Sequence, residues 1–251
     1  MKKYILFLCV VMGCAGAYAT PEQAHKHVMD KALGQAQHTE TIRIAVLVYP
    51  EVVLQDMAGP MEVFSKAKNL SNGKYETYTV ALSEGAIETE NGQLKIKPDY
   101  VFGNVPDADY LLIPGANMPV INKLVDGHTY ADFIRKWGQQ DDSSVVSICT
   151  GSYLLADTGL LNGYRATTHF FVADDFSEQY PEVNLVRDVR FVDAGKYITS
   201  SGVTSGIDAA LHIVDKHSGS TMRKMIARAL QYRFHQEEDW PVSPHGMKYR
   251  R

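Results

Sequence analysis

Val145–Ala156 reads VVSICTGSYLLA, a β-branched apolar run that gives way within a few residues to a helix-forming one. Such a run, short and continuously apolar, is the signature of a strand buried on both faces. The residue at the junction is Cys149, followed by Thr150, Gly151 and Ser152. In an open parallel sheet this junction lies at the carboxyl ends of the strands, where ligands bind. Strand, sharp turn and helix in that order form the context of a nucleophile elbow. A thiol there meets the positive end of the helix dipole, which is expected to lower its pKa below the free value of about 8.5. Gly151 and Ser152 are small enough to leave room for a substrate and for backbone N–H groups.

The flanking sequence supplies the rest of an α/β pattern. Ile42–Tyr49 (IRIAVLVY) is a buried strand closed by Pro50. Leu54–Leu70 has apolar residues near helical spacing, with Pro60 read as lying close to the start, where a missing N–H is tolerated. Tyr75–Leu82 reads as a strand, and Ile87–Ile96 as a hairpin turning on Asn91-Gly92, a type I′ signal. Tyr110–Ile113 is a short apolar strand ended by Pro114-Gly115. Tyr130–Gln139 is helical, Ser144–Ile148 is the elbow strand, and Thr150–Thr158 is its helix, stopped by Gly159. Arg165–His169 is extended, Arg190–Val192 and Tyr197–Thr199 form a strand pair, and Ser205–His217 and Ser220–Arg233 are two closing helices. Strands and helices alternating at this pace predict a mainly parallel sheet covered on both faces. Residues 41–233 show no internal break and are expected to form one domain, with 234–251 as a tail.

Ahead of the domain, Lys2 and Lys3 precede an apolar stretch that ends in Ala17-Tyr18-Ala19. This is the pattern of a cleaved export signal over residues 1–19, too short for a membrane span of roughly 20 apolar residues. Val11-Met12-Gly13-Cys14 leaves open a second outcome, lipidation and retention at Cys14. Residues 20–40 read as a polar tether whose His25, His27 and His38 are expected to be solvated rather than to bind metal. The expected location is periplasmic or secreted. Of three cysteines, Cys9 and Cys14 fall in the signal, so Cys149 has no disulfide partner in the body. A lone cysteine is commonly a buried small hydrophobe; the elbow context points instead to reactivity. A net charge of −4 and 45% hydrophobic residues describe an ordinary globule with no basic surface for nucleic acid.

Ser147–His169 (SICTGSYLLADTGLLNGYRATTH), with LQDMAGPMEVF from Leu54, LLIPGA from Leu111 and TSSGVTSGIDAALHIV from Thr199, resembles the ThiJ/PfpI family of the glutamine amidotransferase-like superfamily. The similarity is to the branch of isonitrile hydratase and the N-terminal domains of AraC-type regulators. The resemblance implies a flavodoxin-like three-layer sandwich, usually a homodimer, that acts on a small molecule without metal or organic cofactor. It implies Cys149 as nucleophile and Asp56 as an acid reaching the thiol; the residue pattern alone equally allows Asp56 to cap the following helix. Thr150 stands where peptidase-like members carry His, which fits the hydratase branch, where a hydroxyl could orient water. His169 reads either as a base or as a capping residue. The Ala116 and Thr150 N–H groups, with Gly115 and Gly151 beside them, are expected to contact an oxyanion or substrate. Gly202–Gly206 reads as an anion cradle or simply as a helix cap. The implied activity is addition of water to an isonitrile through a Cys149 thioimidate. The alternatives are a ligand-binding or sensing module and a thiol protein of carbonyl or oxidative stress.

Overall fold

The apolar run from Ile42 forms β1 (Ile42–Leu47), and its alternate residues bury into two different layers. Ile44 and Val46 face one core with Met57, Phe64, Leu211 and Ile213. Ala45, Leu47 and Tyr49 face the other, with Ile121, Ile134, Tyr153 and Phe176. A strand with apolar side chains on both faces can only be central, which is why the sheet is parallel and sandwiched. The computed structural model describes residue 20 and residues 40–233. The expected export signal, tether and C-terminal tail lie outside the described residues, apart from Thr20 and Glu40.

In chain order, β1 is followed by α1 (Leu54–Leu70), β2 (Tyr75–Ala81), β3 (Ile87–Glu88), β4 (Lys95–Ile96), β5 (Tyr100–Val101) and β6 (Tyr110–Ile113). Then come α2 (Met118–Asp126), α3 (Ala131–Gly138), β7 (Ser144–Ile148), α4 (Gly151–Ala156) and β8 (Arg165–Ala166). The described chain closes with α5 (Ala173–Gln179), β9 (Asn184–Leu185), β10 (Phe191–Asp193), β11 (Tyr197–Ser200) and α6 (Ser205–Ala229). The main sheet has the order β10-β11-β7-β6-β1-β2-β5, parallel throughout except that β10 runs antiparallel to β11. The chain leaves β1 toward β2 on one side and later returns to β6 on the other. The crevice between β1 and β6 is therefore the topological switch point, the place where such sheets bind ligands.

Several local expectations need correction. Pro60 sits inside α1 rather than at its start, so the backbone carbonyl of Asp56, four residues back, loses the partner an N–H at position 60 would supply. Asp56 does not cap that helix; the cap position is Val53, with no side-chain bond, and Asp56 lies in the first turn. Asn91 and Gly92 both take positive φ, as a type I′ turn requires. Yet they sit in a 3₁₀ turn (Glu90–Gly92) within the longer Thr89–Leu94 loop between β3 and β4. The two closing helices form one run, α6, broken at Gly219, whose φ is 78°. Beyond the expected elements the structure contains α2, started by Asn117 with Pro119 in its first turn, and α5 with its preceding 3₁₀ turn (Phe170–Val172).

Phe64 on α1 is 1% exposed and stacks on Tyr75 of β2 with ring centroids 6.2 Å apart. Phe64→Ala is expected to lower stability by about 3–5 kcal/mol through the lost transfer energy and the cavity left behind. Urea unfolding followed by circular dichroism measures it.

Candidate active site

β7 ends at Ile148, and Cys149 follows with φ 57°, a left-handed conformation that costs a non-glycine residue about 1–3 kcal/mol. The fold holds it there by both backbone groups. The Cys149 N–H donates to the Ser200 carbonyl at 2.9 Å, and the Cys149 carbonyl accepts from the Ser152 hydroxyl at 3.1 Å and the Thr168 hydroxyl at 3.4 Å. The chain then turns at once into α4. Gly151 is obligatory at this turn, because a Cβ there would stand 2.3 Å from the Ile113 carbonyl oxygen and 2.7 Å from that of Pro114. The elbow therefore presses directly on the turn that ends β6.

Gly115 makes the same close approach from the other side. A Cβ on it would meet the Thr150 hydroxyl at 2.5 Å, Asp56 Oδ2 at 2.9 Å and the Thr150 nitrogen at 2.9 Å. With only hydrogen there, the Gly115 N–H donates to Asp56 Oδ2 at 2.9 Å. The Thr150 hydroxyl donates to the Ala116 carbonyl at 2.7 Å and accepts from the Ala116 N–H at 3.0 Å. Val53 N–H donates to the Gly115 carbonyl at 2.9 Å, so the loop after β1 is laced to the loop after β6. Beneath them Tyr49, fully buried, donates to the Pro114 carbonyl at 2.6 Å. Sequence reading passed over Tyr49; the signal was an aromatic residue with a polar tip at the carboxyl end of a buried strand, which must find a partner.

Asp56, Cys149, Thr150, Gly115, Ala116 and Gly151 thus come together from three loops. Among the described residues His169 does not join them through any hydrogen bond. Its Nδ1 accepts from the Phe171 N–H at 3.4 Å, capping the 3₁₀ turn that follows. Burial lowers its pKa, favouring the neutral ring. It lines a cavity of about 200 Å³ together with Thr168, Arg187, Ser201 and Thr204. That cavity reaches the elbow through Thr168, whose hydroxyl touches the Cys149 carbonyl; Cys149 itself does not line it. The Gly202–Gly206 segment is closed on itself: the Ser205 hydroxyl accepts from the Gly202 N–H at 2.7 Å and donates to the Gly202 carbonyl at 2.7 Å, while Thr204, the cap position of α6, makes no side-chain cap bond.

Two chemical expectations are reversed. The Gly115 and Ala116 N–H groups are committed to Asp56 and Thr150, so neither is a free oxyanion donor in this state, and Gly151 serves close packing. The thiol is not acidified either. Cys149 is 7% exposed, and burial first, then the Asp56 charge, drives its pKa well above that of a free thiol, against a lowering contribution from the Thr150 N–H. The dipole of a helix as short as α4 does not offset that desolvation. Burial also raises Asp56 to about 7, opposed by the Gly115 N–H and the thiol and assisted by the charge of Glu90. Asp56 Oδ1 is sealed from solvent without a hydrogen-bond partner. Protonation relieves that cost by removing the buried charge, and Cys149 is the thiol whose interaction with the carboxyl opposes the rise. Near neutral pH the carboxyl stands between its two forms while the thiol keeps its proton, and moving that proton from sulfur to an ionised carboxyl would give a thiolate beside a neutral acid.

Fold and site together define an α/β sandwich protein with a cysteine at a nucleophile elbow and a buried carboxyl partner. The chain matches the DJ-1/PfpI family profile over residues 43–216 and belongs to that family. It is 30% identical over 193 residues to an isonitrile hydratase of Pseudomonas putida, covering 76% of this chain and 78% of that one. It is 27% identical over 198 residues to the HTH-type transcriptional regulator GbdR of Pseudomonas aeruginosa, covering 78% of this chain and 52% of the regulator. The chain thus spans about half the length of that regulator. Among solved structures, a ThiJ/PfpI family protein from Pseudomonas syringae superposes with a TM-score of 0.68 at 26% identity, covering 82% of each chain. DJ-1beta of Drosophila melanogaster superposes with a TM-score of 0.66 at 20% identity, covering 77% of this chain and 100% of that one, and shares the fold.

Because the folded-state pKa of Asp56 lies above the unfolded value of 3.8, the folded protein binds that proton more tightly. The associated stability is present below pH 4 and is lost as pH rises through about 7. Asp56→Asn, which stays neutral, is therefore expected to gain stability relative to the parent between pH 4 and pH 8, read by urea unfolding at several pH values. A constant difference across that range would contradict a raised carboxyl.

Proposed function

We propose that this protein is a cysteine-dependent enzyme that adds water to a small carbon electrophile, of the isonitrile hydratase type. The observation that carries the reading is the buried Asp56–Cys149 pair, a carboxyl raised to about 7 beside the nucleophile of the elbow. Similarity to an isonitrile hydratase over most of both chains supports the choice of substrate class.

In the proposed reaction the Cys149 proton passes to Asp56, leaving a thiolate steadied by the Thr150 N–H. The thiolate attacks the terminal carbon of the isonitrile, forming a C–S bond, and the same carbon takes the proton back from Asp56 to give a thioimidate. The Asp56 carboxylate then takes a proton from water, whose oxygen adds to that carbon, and hands the same proton to the nitrogen. As the adduct collapses, its hydroxyl proton passes to Asp56 and the C–S bond breaks, releasing an N-substituted formamide and leaving the thiolate beside a neutral acid as at the start. One difficult hydration is thereby divided into two easier steps. Asp56 works as acid and then as base, and a pKa near 7 suits both roles. The cavity beside the elbow, with apolar Leu185 and Val203 among its lining residues, is the place proposed for the substrate's organic substituent.

A second reading, a pocket that binds a ligand without turnover, draws support from the raised thiol pKa and from the regulators among the relatives. Incubation with an alkyl isonitrile separates the two. The enzyme reading expects formamide from the parent, a fall of at least a hundredfold for Cys149→Ser, and a comparable fall for Asp56→Asn. Binding of the isonitrile without formamide from the parent would favour the second reading. The proposal that the protein works outside the cytoplasm rests on residues 1–19. Mass spectrometry of the mature chain is expected to find Thr20 first, whereas an acylated Cys14 would show lipid retention instead.

A further inference from the structure

The β3–β4 hairpin lies outside the main sheet, yet it is fastened to both loops that carry the acid and the glycine turn. Glu51 N–H donates to the Glu88 carbonyl at 2.9 Å, and Glu90 N–H donates to the Val52 carbonyl at 3.0 Å. Asn91 N–H donates to the Glu51 carboxylate at 3.3 Å. From the other side Asn117, the residue that starts α2 just beyond Gly115 and Ala116, donates from Nδ2 to Glu90 Oε1 at 2.8 Å. Val52 itself pairs with Ala116 in an isolated bridge. A carboxylate on the hairpin is thereby held by main chain and side chain against the segment that binds Asp56.

We propose that Glu90 is a positioning residue of the acid–thiol pair: Asn117 fixes its carboxylate, and the Val52 carbonyl its main chain, against the glycine turn that binds Asp56, and its negative charge acts on that acid. The inference rests on the acid role given to Asp56 above. The groups bearing on Asp56 are Cys149 from the elbow, Tyr49 from the end of β1 and Glu90 from the hairpin; Glu51 joins them through its bond to Asn91. Burial is the main cause that raises Asp56; the Glu90 charge acts in the same direction, and the Gly115 N–H opposes it. A second negative charge near a buried carboxyl disfavours its ionisation. Through that route it favours the state with neutral acid and thiolate, in which the sulfur is reactive. Glu90 needs no contact with substrate to do this.

The test reads Asp56 directly. Infrared difference spectroscopy against pH follows the protonated-carboxyl band that disappears in Asp56→Asn. Glu90→Gln preserves the acceptor for Asn117 and removes the charge. It is expected to lower the Asp56 midpoint by about half a pH unit or more, about threefold in proton affinity. Glu90→Asp, which keeps the charge, should restore most of the shift, and Asn117→Ala, which frees the Glu90 side chain, should shift the midpoint the same way by less. Glu62→Gln, on the same helix as Asp56 but paired with Lys66 at the surface, should leave it unchanged. Alkylation of Cys149 by iodoacetamide above the midpoint should slow by the same factor in Glu90→Gln, because a more acidic Asp56 leaves the proton on sulfur. A midpoint unchanged in both Glu90→Gln and Asn117→Ala overturns the proposal. Neither readout uses an isonitrile, so failure to hydrate one would strike the substrate reading and leave this inference standing.

Discussion

The site depends on one steric constraint, the contact of the elbow backbone at Gly151 with the carbonyls of Ile113 and Pro114. No side chain fits between the end of β6 and the start of α4. That closeness lets the Thr150 hydroxyl bridge to Ala116 and lets Gly115 turn its N–H to Asp56. The left-handed backbone at Cys149 is the local cost, met by the bonds from its N–H and carbonyl to Ser200, Ser152 and Thr168. Tyr49 completes the arrangement from below by holding the Pro114 carbonyl.

Such tight packing also excludes water, and exclusion of water decides the electrostatics. An exposed cysteine at a helix start is acidified, whereas this one is buried beside a carboxyl and its proton is harder to remove. The same desolvation raises Asp56, so the two effects meet in a pair that can pass a proton internally instead of releasing it to solvent. Reactivity in such a pair is governed by the balance between acid and thiol rather than by either pKa alone. Fixed charges around the acid then matter, and the hairpin that carries Glu90 is one place where the fold sets them.

The relatives include an isonitrile hydratase and transcriptional regulators. A fold is shared by proteins of different function, and function rests on the site. What bears on the choice is local: a neutral acid able to donate, a sulfur able to accept, and a cavity reached through Thr168 instead of through the thiol.

Much was legible from residue order alone. Apolar runs at Ile42, Tyr110 and Ser144 determined the central parallel strands, because a segment apolar on both faces has no other home. The strand-to-helix switch at Cys149 determined the elbow, whereas the small neighbours, read as leaving room for a substrate, serve close packing at Gly151. Helix α2 was readable from Asn117 and Pro119 but lacked a long periodic stretch to announce it. Only the tertiary structure could decide which groups surround the thiol, since Tyr49 and Asp56 reach the elbow from the connection after β1 and Gly115 from the turn after β6. Burial depth, and with it the direction of the Cys149 and Asp56 pKa shifts, is a property of that assembly. So is the use of the Ala116 and Gly115 N–H groups, which became internal bonds because side chains from other loops reached them first.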